Sequence, residues 1–364
     1  MIRAVLVDDE APARARLRAL LAEIGDVDVV GEAADAQAGR ALVSAAAPDV
    51  LFLDIEMPAE RGTDFAASLP EPRPFIVFAT AYERFAVDAF QYDAADYLLK
   101  PVNRGRLAAT LDRLRRKLRT RRDDAREIEA ATRAQAHLLP RRLPALEGYG
   151  LGARTLAARG VGGDFFDAVL VDGRLAFVVG DVAGKGMAAG LIASSVHARW
   201  QSAMHRAAEG AHDMMTALNR DVAATTEGSR YATLVHGVLD PPTGDVQFVN
   251  AGHPSALVVS ATGGWTSGLA ATAPAVGLLD VAEFVGGACR LASGDTLVLV
   301  SDGVTEALDA HGRELPLDTV AALAGTAGTD AQDVADAIVA AVRTHRGADQ
   351  AQDDVTVFVL RRHA

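Results

Sequence analysis

Polar side chains close several short apolar runs in the first hundred residues of the sequence. Asp8 and Asp9 follow AVLV, Asp54 follows VLFL, Thr80 ends FIVFAT and Lys100 follows DYLL. If these runs are parallel strands, their carboxyl ends meet at one edge of a sheet, where ligands bind. Three converging carboxylates repel one another, so the pattern predicts a magnesium ion among them. The lysine could then pair with a phosphoryl oxygen as a point charge.

A second set of carboxylates lies in the later part of the chain. Asp164, Asp181, Asp302 and Asp353 each stand at the edge of an apolar run, beside a glycine or another acid. Carboxylate and carbonyl oxygens suit magnesium or manganese, and no His/Cys cluster with zinc spacing is present in the sequence. Two such ions close together can hydrolyse phosphate esters, provided that one carboxylate is shared between them. The four aspartates therefore predict a two-metal hydrolase.

Other residues near these motifs allow more than one interpretation. The run GDVAGKG does not have the spacing of a P-loop, and GVGGDF is no dinucleotide fingerprint. His253 could be catalytic or could satisfy backbone groups in a turn, whereas His197 lies in a helical pattern and is interpreted as structural. Asp167 and Asp354 are candidates for supporting the proposed ligands. Arg159 could contact substrate phosphate or simply be a solvent-exposed arginine.

The elements that must position these residues fall into three segments. Alternating strand and helix patterns over residues 1–120 predict an α/β doubly wound domain with a five-stranded parallel sheet. Residues 107–139 predict a helical linker with a narrow apolar seam, which could be a coiled coil; the seam consists of Leu107, Leu111, Leu114 and Leu118. Residues 140–364 predict an α+β domain built on a β-sandwich.

Composition excludes several classes of protein. The 364 residues include a single cysteine, Cys289, and carry a net charge of −12. One cysteine cannot form a disulfide framework, so a reducing cytoplasm is expected. An acidic chain repels nucleic acid. The sequence has no signal-peptide pattern at its start and no apolar run of the ~20 residues that a bilayer span needs, so neither nucleic acid nor membrane is expected as a partner.

The N-terminal segment resembles the receiver domain of bacterial response regulators, through VDDE, LDIEMP, FATAY and DYLLKP. The resemblance implies that a sensor histidine kinase phosphorylates Asp54. It implies a magnesium site that Asp9 ligates directly and Asp8 through water, together with Asp54 and Glu56. It also assigns a switch pair and a phosphoryl-binding lysine, which are Thr80, Tyr97 and Lys100. This receiver type usually precedes a LytTR DNA-binding domain, but no such segment follows.

Residues 138–362 resemble SpoIIE-type serine phosphatases, the bacterial branch of the 2C-like metal-dependent (PPM-type) phosphatases. The motifs are LLPRRLP, VGGDFFD, GDVAGKG, NAGHP, LVSDGVTEA and DDVTV, in that order. The resemblance implies that Asp181 bridges two magnesium or manganese ions, with the Val182 carbonyl on one side. Asp164 would complete one metal shell, and Asp302 and Asp353 the other. The family often has FG where this chain has Leu-Pro after Glu314, which leaves the local substrate contact open.

Together the two resemblances predict a response regulator whose output is dephosphorylation of phosphoserine or phosphothreonine on a protein. The family implies a STAS-like anti-sigma-factor antagonist as the substrate, and Asp54 phosphorylation as the control. A homodimer through the receiver and the linker helix is possible. The alternatives are a catalytically weak binding scaffold, which the presence of all four aspartates disfavours, and a DNA-binding regulator, which the acidic charge disfavours.

Overall fold

The computed structural model describes residues 1–81, 94–158, 160–205, 211–226, 230–326, 330–347 and 353–364. The chain divides into two compact units, Met1–Arg126 and Glu127–Ala364. Within the described ranges, no helix has an apolar stretch long enough to cross a bilayer. The segment between the fourth and fifth strands, for which the sequence predicts a helix, lies mostly outside the described residues.

The first unit is built on one parallel sheet of five strands in the order β2-β1-β3-β4-β5. This order places β1 and β3 side by side, which confirms the predicted doubly wound architecture. Helices cover both faces because nearly every residue of the inner strands is apolar and buried. The elements are β1 (Ile2–Val7), α1 (Ala11–Ile24), β2 (Val27–Ala33), α2 (Ala36–Ala46), β3 (Val50–Leu53), α3 (Gly62–Ala67), β4 (Phe75–Thr80) and β5 (Asp96–Leu99).

Helix α4 (Arg104–Ala136) begins in the first unit and ends in the second. Its seam of four leucines is between 0% and 4% exposed. These side chains pack with α1 and with one face of the parallel sheet in a single core cluster. The interpretation of the seam as a coiled-coil contact is therefore wrong, because the receiver sheet already covers that face of the helix. A homodimer through the receiver and the rest of this helix stays a prediction.

The second unit contains two antiparallel sheets of five strands each, β13-β10-β9-β8-β7 and β12-β11-β14-β15-β6. The first sheet comprises β7 (Phe165–Val171), β8 (Arg174–Val182), β9 (Ala232–Asp240), β10 (Asp245–Ala251) and β13 (Gly287–Arg290). The second comprises β6 (Tyr149–Leu156), β11 (Ala256–Val259), β12 (Trp265–Gly268), β14 (Thr296–Val300) and β15 (Val355–Arg362). Their inner faces share one core, in which the rings of Phe177 and Phe358 stack 5.6 Å apart.

Helices cover the outer faces of this sandwich. Helices α5 (Met187–His205) and α6 (Ala211–Thr226) pack on the first sheet around the fully buried Trp200. The short α7 (Asp302–Thr305) follows β14, and α8 (Leu317–Thr326) and α9 (Ala331–Arg346) pack on the second sheet. The result is a four-layer α-β-β-α arrangement, which confirms the predicted α+β sandwich. The sequence patterns missed β6, β7, β12 and β13, and they also missed helices α6 and α8.

Candidate active site

The carboxylates at the ends of β1 and β3 converge in the first unit, as the sequence predicts. Oxygen atoms of Asp8, Asp9 and Asp54 all lie within 4.8 Å of one another. Lys100, which follows β5, places its Nζ 2.6 Å from Asp54 Oδ2 and 2.7 Å from Asp8 Oδ2. The strand order explains this meeting, because β1 and β3 are neighbours and β5 ends at the same edge. Asp8 and Asp54 are buried, whereas Asp9 is exposed.

Lys100 offsets part of the negative charge at this edge. Burial raises the pKa of Asp54, the Lys100 ammonium opposes that rise, and the Asp8 charge adds to it. Burial acts to lower the pKa of Lys100, but its bonds to Asp54 and Asp8 outweigh burial and the pKa is raised. The site thus holds a buried carboxylate beside a fixed cation. That is an arrangement in which a phosphoryl group on Asp54 would meet a counter-charge.

The proposed switch residues flank this edge. Thr80 is fully buried, and its hydroxyl has no hydrogen-bond partner among the described residues. Its carbonyl accepts a hydrogen bond from the Lys100 amide at 2.8 Å. Tyr97 lies on β5 and is half-buried against the core on one face of the sheet. Glu56 is exposed and its amide donates to Asp54 Oδ1 at 3.3 Å, but its carboxylate is not part of the group of three.

In the second unit, a glycine lets two chain segments approach closely. Asp181 and Val182 end β8, and the Val182 amide donates to the Gly163 carbonyl at 3.3 Å. A Cβ on Gly163 would lie 2.8 Å from the Val182 carbonyl oxygen and 3.0 Å from Asp181 Oδ1. Such contacts are too close for any larger residue. The glycine therefore keeps the carbonyl and the carboxylate open to a ligand, next to the Asp164 that follows it.

Asp164 is the most deeply buried of the four aspartates. Its side chain is 5% exposed, and neither carboxylate oxygen has a hydrogen-bond partner among the described residues. Burial, together with the charges of Asp181 and Asp354, raises its pKa well above the usual value. The hydroxyls of Thr356 and Ser301 oppose this rise in pKa, although neither lies in hydrogen-bonding geometry with the Asp164 carboxylate. A buried carboxylate without donors is costly unless a cation is bound nearby.

Asp302 and Asp353 lie next to the ends of two adjacent strands of the second sheet. Asp302 opens α7 just after β14, and Asp353 lies just before β15, which pairs with β14. Burial, followed by the charge of Asp353, raises the pKa of Asp302. Burial and then the charge of Asp302 raise the pKa of Asp181 to about 6. The charges of Asp302 and Asp353 thus act on Asp181, and that of Asp181 acts on Asp164, although across the described ranges only the receiver carboxylates have three ligand oxygens within 4.8 Å of one another.

Two aspartates beside the proposed ligands support the loops that carry them. Asp354 accepts hydrogen bonds from the amides of Ala158 and Gly163, both at 2.7 Å, and so fixes the segment that leads into Asp164. Asp167 is buried on β7, where it bonds His197 Nε2 and Gln201 Nε2, each at 2.7 Å. These bonds fasten α5 to the first sheet. They support the interpretation of His197 as structural.

His253 also has a structural role in the turn of the NAGHP motif. It is 3% exposed, its amide donates to Asn250 Oδ1 at 2.8 Å, and Asn250 Nδ2 donates to its carbonyl. Its Nδ1 lies 3.0 Å from the hydroxyl of Thr233, a residue that pairs with Asp181 across β8 and β9. Burial lowers the pKa of His253 to about 4, so the ring is neutral at pH 7. A neutral, enclosed imidazole is not placed to meet substrate.

Sequence reasoning assigned no role to two side chains that contact this site. Lys185, on the loop after Asp181, places its Nζ 3.0 Å from Asp353 Oδ2. Gln135, at the end of α4, donates to the Gly162 carbonyl at 2.6 Å and accepts from the Gly162 amide at 2.9 Å. The lysine could have been noticed within GDVAGKG, but nothing in the sequence marks the glutamine. Arg159, a candidate substrate contact, lies outside the described residues.

The donor set suits a hard divalent cation. Asp164 offers two buried oxygens without hydrogen-bond partners among the described residues, and Gly163 leaves the Val182 carbonyl approachable. Asp181, Asp302 and Asp353 supply further oxygens. Oxygen-only ligands of this kind are those that magnesium and manganese prefer. The residues present therefore fit the divalent metal ions that the sequence predicts.

Comparison with known families divides the chain in the same way. The family described as Stage II sporulation protein E (SpoIIE) matches residues 171–363, and the response regulator receiver domain matches residues 4–112. The transcriptional regulatory protein BtsR of Escherichia coli (strain K12) is 49% identical over 116 residues, or 32% of this chain and 48% of that protein. An uncharacterized response regulatory protein of Vibrio vulnificus is 46% identical over 115 residues, 31% of this chain and 48% of that protein. The chain thus spans about half the length of these curated relatives.

Solved structures resemble the second unit. The RsbU and RsbW domains of Rv1364c from Mycobacterium tuberculosis superpose with a TM-score of 0.52 at 26% identity, covering 61% of this chain and 63% of that one. The SiaA-PP2C domain of Pseudomonas aeruginosa gives a TM-score of 0.58 at 19% identity, covering 66% of this chain and 98% of that one. At that identity the second likeness shows the fold alone.

Proposed function

This chain belongs to the SpoIIE family and carries a response regulator receiver domain, and from that premise we propose a metal-dependent protein phosphatase acting on phosphoserine or phosphothreonine. Its two matched families fit a response regulator with a phosphatase output. To this we add the metal ions, the substrate protein and the roles of individual residues. The observation that carries it is the buried carboxylate of Asp164, whose oxygens lack hydrogen-bond donors among the described residues, beside Asp181 and the approachable Val182 carbonyl.

The aspartates would divide the work of holding two magnesium or manganese ions. Asp181 would be shared, because the charges of Asp302 and Asp353 raise its pKa and its own charge raises the pKa of Asp164. A bound metal pair supplies an activated water and neutralises phosphoryl charge. Asp354 keeps the loop before Asp164 in place through its two amide bonds. Asp164 is 5% exposed, so its side of the site is largely shielded from bulk solvent.

The substrate class follows from the family resemblance. We infer a phosphorylated, STAS-like anti-sigma-factor antagonist, and the likeness to the RsbU and RsbW domains of Rv1364c supports this inference. The relative called a transcriptional regulatory protein shares only the receiver portion, and residues beyond that portion match SpoIIE instead. DNA binding is therefore not proposed for this chain.

The input would be phosphorylation of Asp54 by a sensor histidine kinase, with Asp8, Asp9 and Asp54 holding magnesium and Lys100 pairing with the phosphoryl group. Helix α4 is the physical connection, because its leucines pack in the receiver core while Gln135 bonds Gly162 in the phosphatase unit. We propose that phosphorylation raises the phosphatase rate through this helix. The direction rests on analogy with other kinase-controlled outputs.

The test measures phosphate release from a phosphoserine-bearing antagonist domain and from nitrophenyl phosphate, with and without Mn²⁺. Turnover on both that needs the metal and ends on chelation is the expected result. The Asp181→Asn chain serves as the inactive reference. Undiminished turnover in chelator would exclude the metal mechanism, while metal-dependent hydrolysis of the ester alone would mean that the substrate protein is of another class. Tight binding of the antagonist without turnover would indicate the scaffold alternative.

A further inference from the structure

A buried arginine joins the two segments that carry Asp302 and Asp353. Arg346 is the last residue of α9 and is 8% exposed. Its Nη2 donates to the Gly303 carbonyl at 2.6 Å, and its Nη1 donates to the Asp353 carbonyl at 3.2 Å. Gly303 directly follows Asp302, so one guanidinium holds the backbone of both acidic segments.

The same two segments are in close contact elsewhere. A Cβ on Gly303 would overlap the carbonyl oxygen of Asp354, so the backbone of α7 contacts that of residues 353–355 at that point. The carboxylates that these segments present repel each other, and the charge of Asp353 contributes to the raised pKa of Asp302. Repulsion acts to separate the two segments whenever no cation is bound between their side chains. A fixed link between the two backbones would resist that separation.

Arginine suits this link better than other residues. Its planar guanidinium presents several N–H donors in a rigid fork, so it can hold two acceptors at a set angle and distance. Burial lowers the pKa of Arg346 from its usual value and the Asp353 charge opposes that shift; a guanidinium still carries its charge at pH 7. The side chain ends on backbone carbonyls and not on the carboxylates themselves. It therefore leaves the carboxylate oxygens of Asp302 and Asp353 available as ligands.

We propose that Arg346 is a positioning residue that sets the spacing of Asp302 and Asp353 for a divalent cation in the phosphatase unit. The inference rests on the proposed metal-dependent function. It adds a determinant of metal affinity that lies in α9, outside every sequence motif of the site. Arg346 acts through the backbone and does not contact the substrate.

The test is Mn²⁺ binding measured by titration calorimetry in the absence of substrate, so that no turnover enters the result. All chains carry Asp9→Asn, because the receiver offers a second divalent-cation site at Asp8, Asp9 and Asp54. The variants are Arg346→Gln, which removes the charge and the fork, and Arg346→Lys, which keeps the charge and can reach one carbonyl. Thermal unfolding is recorded for each chain.

Two controls on the same helix separate positioning from general stability. Arg343→Gln removes an exposed arginine one turn earlier. Val342→Ala removes buried volume, since Val342 is 1% exposed in the core of the second sheet. This second control is expected to lower the melting temperature without changing the spacing of the acidic segments. If Arg346 had a purely structural role, Arg346→Gln and Val342→Ala would weaken Mn²⁺ binding to the same extent.

We expect Arg346→Gln to weaken Mn²⁺ binding by about 10-fold or more, as is typical for groups that hold ligands in place. Arg346→Lys should be intermediate, and both controls should stay within about 2-fold. Unchanged affinity in Arg346→Gln, or an equal loss in Val342→Ala, would overturn the inference. If Arg346→Gln does not fold, Arg346→Lys decides, and parent-like affinity in that variant overturns it. Absence of Mn²⁺ binding in the parent would reject the proposed function and this inference with it.

Discussion

The ammonium of Lys185 lies 3.0 Å from Asp353 Oδ2, so a cation on the loop after Asp181 pairs with a carboxylate on the other acidic segment. A metal ion that binds Asp353 must compete with this pair. Both side chains are roughly half exposed, 47% for the lysine and 41% for the aspartate. An ion pair exposed to that extent contributes at most about 1 kcal/mol.

We therefore predict that Lys185→Gln strengthens Mn²⁺ binding by up to about fivefold, which corresponds to that energy. The effect should shrink as salt is raised, because solvent-exposed pairs are screened. Binding is measured by calorimetry at low and at high ionic strength, with Arg220→Gln as a control for an exposed cation in the same unit. Weaker Mn²⁺ binding in Lys185→Gln would show that the lysine assists the metal and does not compete with it.

Asp181 predicts a pH dependence of stability in the metal-free protein. Its pKa is raised from 3.8 to about 6. At pH values between these two, the folded state keeps a proton that the unfolded chain has already released. Stability from this group is fully present below the unfolded pKa and is lost as pH rises through about 6. At pH 8, Asp181→Asn should therefore stabilise the chelated protein by about 1 kcal/mol or more, with little change at pH 4.

The measurement is thermal unfolding followed by tryptophan fluorescence. The two tryptophans of the chain, Trp200 and Trp265, both lie in the second unit and report on its unfolding. The same Asp181→Asn chain should lose metal-dependent hydrolysis, since it lacks the proposed shared ligand. Parallel pH profiles for the parent and the variant would contradict the raised pKa.

Asp54 should be the phosphorylation site of the receiver. We predict that a small phosphodonor with Mg²⁺ labels the parent chain and that Asp54→Ala takes no label, because the buried carboxylate beside Lys100 is the proposed nucleophile. Asp64→Ala is the matched control, since it removes an exposed carboxylate on α3. Incorporation is measured on intact protein by mass. Full labelling of Asp54→Ala would place the acceptor at another residue.

Gln135 tests control of the phosphatase through α4. Its amide bonds both backbone groups of Gly162, two residues before Asp164. If a change in the helix reaches the site through these bonds, Gln135→Ala should remove most of the difference in turnover that a phosphoryl mimic on Asp54 produces. Arg133→Ala, which breaks only an exposed ion pair with Glu129, should leave that difference intact. An undiminished response in Gln135→Ala would exclude this route.

Substitutions in the leucine seam are not a clean test of the same coupling. Leu111 and Leu118 are buried in the receiver core, so an aspartate at either position would destabilise the whole unit. Gln135 is preferable because it lies at the opposite end of the helix and its hydrogen bonds are confined to the second unit.

The sequence by itself determined the strands at whose carboxyl ends Asp8, Asp54, Asp181 and Asp302 lie, because apolar runs closed by a carboxylate are a local pattern. It also determined both fold classes, since alternation of strands with helices differs from a series of antiparallel strands with turns. Strands with few large apolar residues, such as β12 and β13, were missed because they lack such an apolar run. Their pairing depends on neighbouring strands and not on their own composition.

Only the tertiary structure decided what covers each apolar face and which distant segments meet. A helical period shows that the leucines of α4 share one face, but the same pattern fits a partner helix or a sheet, and here it is the receiver sheet. The bond from Arg346 to Gly303 spans 43 residues and that from Gln135 to Gly162 spans 27. Such contacts form only when folding brings segments that are distant in sequence together, and the local sequence does not show which segments will meet.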